Sequence, residues 1–313
     1  MRLSALLLSV VFLFSGCNQS KKRRIGVVPK ATSHAFWVAV EKGAKAAGKE
    51  FNVDVEWNGA PSETDYARQI QIVDSMINRR VDGLAVAAAE RKALVATIDR
   101  AMKQGIPVTI FDSGIDGDNY TSFVATNNFE GGQLGARTLA KLIGGKGEIG
   151  LMLHAPGSAS TMDRERGFTD VIEKEFPNIK IVASQYGMAD RSKARAAAEN
   201  MLTAHSNLVG FFGSSEPSTT GASLAVKARG LAGKVKVVAF DASDNLVEDM
   251  RAGAIQAMVV QDPFQMGFNA VKTIIDKLDG KTPPKRIDLS AKVIWAEDIN
   301  KPENQRLLSP ELK

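Results

Sequence analysis

The chain has 313 residues, room for two domains, with 44% hydrophobic and 24% charged residues, the proportions of an ordinary soluble globular protein. Its formal net charge is +5, but Arg2, Lys21, Lys22, Arg23 and Arg24 supply that excess, and from Ile25 onward basic and acidic residues both number 35. A neutral body argues against a nucleic-acid surface on the folded part, and Lys21–Arg24 reads as a solvated tether that can touch acidic headgroups.

The N-terminus is read as a processing segment. Residues 1–16 carry one positive charge, a short apolar run and then Ser15-Gly16, the pattern of a secretory signal and too short for a membrane-spanning helix. Cys17 is the only cysteine, so no internal disulfide can form. Leu13–Cys17 resembles a bacterial lipobox, with Phe14 where that pattern usually has leucine. Lipidation of Cys17 would leave residues 17–24 as a leash on a membrane surface.

From Ile25 the apolar pattern alternates between short β-branched runs and helical periods. Strands are expected at Ile25–Pro29, Val53–Trp57, Val81–Ala87, Gly105–Ser113 and Ser122–Thr126. Between them come a loop at Lys30–Ser33 and helices at His34–Phe51, Ser62–Arg79 and Glu90–Lys103. The first helix turns Phe36, Val40 and Ala44 inward, and the second Ile70, Val73, Met76 and Ile77. The pattern then restarts. Helices are expected at Gly131–Ile143, Arg164–Glu175, Arg191–Ala204, Thr219–Ala228 and Phe264–Leu278. Strands are expected at Glu148–His154, Ile179–Tyr186, Leu208–Gly213, Val235–Phe240, Ala254–Gln261 and Val293–Trp295. Thr282–Arg286 reads as a Pro-rich turn, and Asn300–Lys313 as a polar tail draped over the surface. The fold class is therefore α/β, with two doubly wound, Rossmann-like lobes.

One repeat organises both lobes. Val108–Asp112 and Val237–Asp241 share Val-x-x-Phe-Asp, each a buried-strand run ending in a carboxylate. Ligands of open α/β sheets sit beyond the carboxyl ends of the strands, so each lobe offers an aspartate to a ligand.

Catalytic motifs are not recognisable. Gly145–Gly150 has the glycine spacing of a dinucleotide fingerprint but precedes a strand instead of following one. Gly280-Lys281-Thr282 echoes the end of a P-loop, but Ile275 stands where its first glycine belongs. No Gly-x-Ser-x-Gly elbow occurs. His34, His154 and His205 are too few and scattered for a metal site, and Asp116-Gly-Asp118 lacks the spacing of a calcium loop. No cofactor, metal or enzymatic activity is expected.

What remains is a polar and aromatic set at strand tips and following loops. It comprises Lys30, Ser33, His34, Phe36 and Trp37, then Asp112 and Ser113. The second half adds His154, Met162, Asp163, Arg164, Ser215, Glu216, Asp241 and Gln261. Carboxylates and amides can each take two neighbouring hydroxyls, and aromatic faces cover the C–H side of a sugar ring, so the set suits a neutral polyol. Helix-start core packing is the alternative for Phe36 and Trp37.

These residues carry a resemblance. Phe36-Trp37, Val81-Asp-Gly-Leu, Gly-Ile-Pro-Val with Asp112, and Asn127-Asn128-x-x-Gly131-Gly132 are four of its pieces. Arg164-x-x-Gly167-Phe168, Val237–Asp241 and Gln261-x-Pro263-x-Gln265-x-Gly267 complete the set. From Ile25 to Trp295 the chain resembles the ribose-type periplasmic sugar-binding proteins, whose lobes are shared with LacI-type repressors. The resemblance implies a type I periplasmic-binding fold with hinge crossings near Thr126, Gln261 and Arg286. The lobes would then be residues 25–126 plus 262–286, and 127–261 plus 287–313.

It further implies ring-sandwiching aromatics at Phe36 and Trp37, hydroxyl-binding acids at Asp112 and Asp241, and a cleft amide at Gln261. Several positions depart from the ribose pattern. His34 and Ser215 replace asparagines, Ser113 and Met162 replace arginines, and Arg164 matches a neighbouring family arginine. Losing two arginines leaves room for a larger or differently substituted sugar. The expected function is capture of a monosaccharide-like ligand by a monomeric lipoprotein, held in the periplasm or on the outer face of a bacterial membrane, for delivery to an ABC-transporter permease. Sensing for a histidine kinase or chemoreceptor is the alternative, and the sequence does not separate the two. A repressor would need an N-terminal DNA-binding domain for which residues 1–24 leave no room.

Overall fold

The computed structural model describes residues 22–308. The expected signal segment, the lipidation site Cys17 and the last five residues of the tail lie outside that range.

The first sheet takes β1 (Arg24–Val28), β2 (Asp54–Trp57), β3 (Gly83–Val86), β4 (Val108–Phe111) and β5 (Ser122–Thr126). Between these strands run α1 (Ala35–Glu50), α2 (Tyr66–Asn78) and α3 (Val95–Lys103). The second sheet takes β6 (Gly147–Leu153), β7 (Ile179–Tyr186), β8 (Leu208–Gly213), β9 (Lys236–Phe240) and β10 (Ala257–Val260). Its helices are α4 (Asn128–Leu142), α5 (Ala159–Glu175), α6 (Arg191–Ala204), α7 (Glu216–Ala228) and α8 (Asp244–Arg251). The chain ends with α9 (Pro263–Leu278), β11 (Arg286–Leu289), β12 (Lys292–Trp295) and α10 (Pro302–Leu308).

The two sheets have one strand order. The first runs β11-β5-β4-β3-β1-β2 and the second β12-β10-β9-β8-β6-β7, so β1 corresponds to β6, β4 to β9 and β5 to β10. The main ladders are parallel, and only the last edge differs: β11 is parallel to β5, β12 antiparallel to β10. This order reverses direction between the first and third strands, and loops leaving the carboxyl ends there open a crevice. The helix after the fifth strand crosses over in each half: α4 packs on α5 in the second lobe, and α9 returns to pack on α1 in the first. Gly132 and Gly167, and likewise Gly43 and Gly267, let these helices approach until an added Cβ would strike the opposing backbone carbonyl. Each lobe closes over its own core, with Phe168 stacked on Phe212 at 4.5 Å in the second.

Several boundaries differ from the sequence reading. Helix α2 starts at Tyr66, where the Asp65 carboxylate caps the Arg68 N–H, and Glu90–Leu94 precede α3 as turn. Helix α5 begins at Ala159, which puts Met162, Asp163 and Arg164 on a helix instead of in a loop. Helix α8 and strand β11 were not anticipated, and α10 replaces part of the expected surface tail, with Asn304 and Leu308 buried. Ile70 is only half-buried, while Ile72 and Gln69 are buried. The Gln69 amide bonds Pro29 O, Ala87 O and Ala89 N, tying α2 to the tips of β1 and β3. Residues 287–289, expected in the second lobe, finish β11 in the first sheet, so the last crossing falls at residues 290–291.

Candidate functional site

Asp112 and Asp241 occupy equivalent places. Each follows the last residue of the fourth strand of its sheet, and each adopts a left-handed backbone, φ 58° and 71°. Each keeps a ladder bond to the fifth strand, from Asp112 N–H to Val124 O and from Asp241 N–H to Val259 O, both 2.9 Å. Short polar side chains tolerate this region better than most, and here it ends the strand while turning the carboxylate toward the interlobe space. Both aspartates line one pocket between the lobes, enclosing about 350 Å³ of space free of atoms, part of it open to the surface.

Each acid has a fixed partner. Lys30, buried in the β1–α1 loop, pairs with Asp112 Oδ2 at 3.0 Å. Its ammonium also donates to Ser158 Oγ at 3.1 Å and Ser160 Oγ at 2.9 Å, on the other lobe. Asp241 accepts from Gln261 Nε2 at 2.6 Å and from the Glu216 N–H at 3.2 Å, with Arg164 3.9 Å away. Burial raises the Asp241 carboxyl above its ordinary range, and Arg164 and the Gln261 bond oppose that rise. Arg164 is set by Asn128 Oδ1 at 2.8 Å and Ser214 O at 3.0 Å, with its guanidinium 3.9 Å from the centre of the Phe240 ring. Glu216 is held by Arg191 at 2.8 Å and by Thr220 Oγ1 at 3.0 Å. The buried Gln261 Oε1 has no protein partner, an acceptor left for a guest.

Phe36 and Trp37 both line the pocket at the start of α1, their rings edge to face with centroids 4.9 Å apart. The Trp37 indole N–H donates to Glu63 Oε1 at 2.9 Å. His34 Nδ1 reaches the same oxygen, and His154 Nε2 reaches Glu63 Oε2, both at 3.0 Å. His34 is raised above its ordinary 6.5: burial works against its charged form, but the bond and charge of Glu63 outweigh it. His154 Nδ1 meets Ser215 Oγ at 2.8 Å.

Of the residues singled out from sequence, the pocket gathers Lys30, His34, Phe36, Trp37, Asp112, His154, Arg164, Ser215, Glu216, Asp241 and Gln261. Ser113 is buried beside it, and its Oγ accepts the Ser160 N–H at 3.2 Å, a lobe-to-lobe bond. Met162 does not line the pocket: it is 36% exposed, because the helix that carries Arg164 inward carries Met162 outward. Ser33 is exposed, and Asp163 pairs with Arg166 one turn on. Sequence reasoning missed Glu63, Ser160, Thr161 and Pro217. Glu63 had been read as the first turn of α2; the Asp65 cap downstream was the signal that it precedes the helix. Among the described residues no group of three or more His, Cys, Asp or Glu is placed to hold a metal ion.

Residues 25–282 match the family described as periplasmic binding protein domain. The chain is 33% identical over 267 residues to the D-allose-binding periplasmic protein of Escherichia coli (strain K12), covering 82% of this chain and 86% of that one. A solute binding protein of Agrobacterium vitis solved with D-fucose superposes with a TM-score of 0.88 at 34% identity, over 91% of this chain and 99% of that one. Another, from Agrobacterium radiobacter in complex with D-arabinose, gives 0.90 at 30% identity, over 92% and 99%.

Proposed function

The chain belongs to the periplasmic binding protein domain family, a ribose-type member with the type I fold, and from that premise we propose that it captures a monosaccharide between its lobes and delivers it to an ABC importer. The observation that carries the ligand class is the charge-matched pocket. Asp112 has Lys30, Asp241 has Arg164, Glu216 has Arg191 and Glu63 has two imidazoles. A guest with net charge would unbalance a buried set of this kind. A neutral polyol instead finds fixed acceptors and donors, the free Gln261 Oε1, and the aromatic edge of Phe36 and Trp37. Relatives named for D-allose, and neighbours solved with D-fucose and D-arabinose, agree with that class.

A melting-temperature screen against pentoses, hexoses, 6-deoxysugars and polyols tests this reading. The true ligand raises the midpoint with concentration, and Asp241→Ala lowers affinity by about 2 kcal/mol or more while keeping the fold, measured by calorimetry. A screen silent for all neutral sugars but positive for a charged metabolite would sink the reading.

The same reading places the protein outside the cytoplasmic membrane, anchored through a lipidated Cys17. Fractionation checks this: Cys17→Ser should move the protein from membrane to soluble fraction, and an unchanged distribution excludes the anchor.

A further inference from the structure

On the reading that the lobes close over a sugar, we propose that Gln69 is a positioning residue for capture: its buried amide takes over from the backbone ladder where β1 and β3 part, and so sets Lys30 against Asp112 before the sugar arrives. Gln69 is buried and does not line the pocket, so it acts on the ligand only through those strand tips.

The need for such a brace comes from the shape of the sheet. Strands β1 and β3 pair up to Val28 with Val86, and the Ala87 N–H makes one more bond, to Val28 O at 2.9 Å. Past that point the chains part to form the loops of the crevice, and Pro29 has no N–H to offer a neighbour. Pro29, Ala87 and Ala89 are all buried, so their backbone polar groups need partners away from water. Gln69 supplies them. Its Nε2 donates to Pro29 O at 2.9 Å and to Ala87 O at 2.7 Å, and its Oε1 accepts the Ala89 N–H at 3.0 Å. The two carbonyls only accept and the N–H only donates, so the amide has one orientation. It serves as a peptide unit inserted between diverging strands.

The second lobe meets the same need with a site residue. There the Ser214 N–H reaches Met152 O at 3.1 Å, which makes Ser214 the counterpart of Ala87 and Leu153 that of Pro29. Leu153 O takes the Gly187 N–H at 2.8 Å, and Ser214 O takes Arg164 Nη1 at 3.0 Å. The carbonyl that Gln69 holds in one lobe is held in the other by Arg164, the cation facing Asp241. In the first lobe the brace and the cation at the aspartate are separate groups, Gln69 and Lys30.

Both loops that leave the braced tips carry bonds to the other lobe. Lys30 follows Pro29 and pairs with Asp112 at 3.0 Å while donating to Ser158 and Ser160. Arg91 lies just past Ala89, and its N–H reaches Gly157 O at 3.0 Å. Without the amide the tips sample other positions, and the sugar meets the capture geometry in only a fraction of molecules. Apparent affinity falls by that fraction, so tips correctly placed about one-tenth of the time weaken binding about tenfold.

A double-mutant cycle, read by calorimetry with the sugar found in the screen, tests this. Gln69→Met keeps the length of the side chain and drops its amide, and it should weaken binding about tenfold. On a Lys30→Met background the same change should cost about threefold or less, because the group it positions is gone. Ile77→Ala truncates the core at the far end of α2, and it should lower the melting temperature while leaving affinity unchanged. An equal loss from Gln69→Met in both backgrounds, or a loss from Ile77→Ala that matches it, overturns the proposal. Without sugar, backbone hydrogen exchange at residues 30–34 and 87–92 should be faster in Gln69→Met than in wild type, and unchanged exchange there also overturns it. Should Gln69→Met not fold, NMR of the sugar-free wild type decides alone. The side-chain amide protons of Gln69 should exchange far more slowly than those of the exposed Gln104, and equal rates refute the brace. The exchange measurements use no sugar, so failure of the ligand screen and failure of the brace are separate outcomes.

Discussion

Glu165 is a buried acid one step behind the pocket, and its surroundings make stability depend on pH. Its Oε1 accepts the His154 N–H at 3.0 Å and the Ser214 hydroxyl at 2.8 Å. Burial dominates, and against those bonds and the charge of Arg164 it pushes the carboxyl from 4.5 up to about 7. Between those values the folded protein holds a proton that the unfolded chain has released, so the folded state binds more protons and stability falls as pH rises. The loss is complete above about pH 7 and amounts to roughly 3 kcal/mol at most. Glu165→Gln keeps the accepting oxygen and never ionises. Its melting temperature should exceed wild type above pH 7 and converge with it below pH 5. The same pH trend in both proteins would refute this account. Residues such as Glu165 and Glu63 escape sequence reading because a glutamate in a polar helix or loop looks like solvated surface. Only burial, which needs the packed second lobe, reveals them. Asp112 and Asp241 were legible because the Val-x-x-Phe-Asp run fixes both the strand and its end.

At the scale of elements, legibility followed hydrophobic period. The first ten strands and the long helices stand close to where β-branched runs and helical stripes placed them. The misses have a common cause. Strand β11 is an outer strand whose residues alternate between exposed and half-buried, so it lacks the continuous apolar run of its neighbours. Helix α8 has eight residues and α10 seven, about two turns each, too few for an apolar stripe to repeat along the helix. The error at α5 moved site residues: starting the helix five residues late left Met162 in a loop free to face the ligand. The helix instead turns it away and presents Arg164 to Asp241. Close helix contacts support this placement. Gly132 lies against the Arg164 carbonyl, so the α4–α5 crossing fixes the height of the arginine over the pocket.

For the whole molecule, the lobes meet largely through one segment of the second, residues 154–160. His154 takes Glu63, Pro156 O takes Tyr66, and Gly157 O takes the Arg91 N–H at 3.0 Å. Ser158 and Ser160 take Lys30, and the Ser160 N–H reaches Ser113. Lys30 is the member of this set that touches both lobes and also neutralises a site carboxylate, Asp112. Lys30→Met preserves length and apolar stem but removes both functions. The buried Asp112 is then left without its cation, which costs a few kcal/mol in any form that keeps it dry. Closing becomes the step that bears this cost, because opening lets water reach the carboxylate. Calorimetry on the sugar identified by the screen should therefore show a 30-fold or greater loss of affinity, about 2 kcal/mol or more. Scattering at equal saturation should still show the compact form, since enough sugar offsets the penalty. A Lys30→Met protein that binds as tightly as wild type would mean that Asp112 does not rely on this ammonium, and that lobe closure is held by the remaining contacts of residues 154–160.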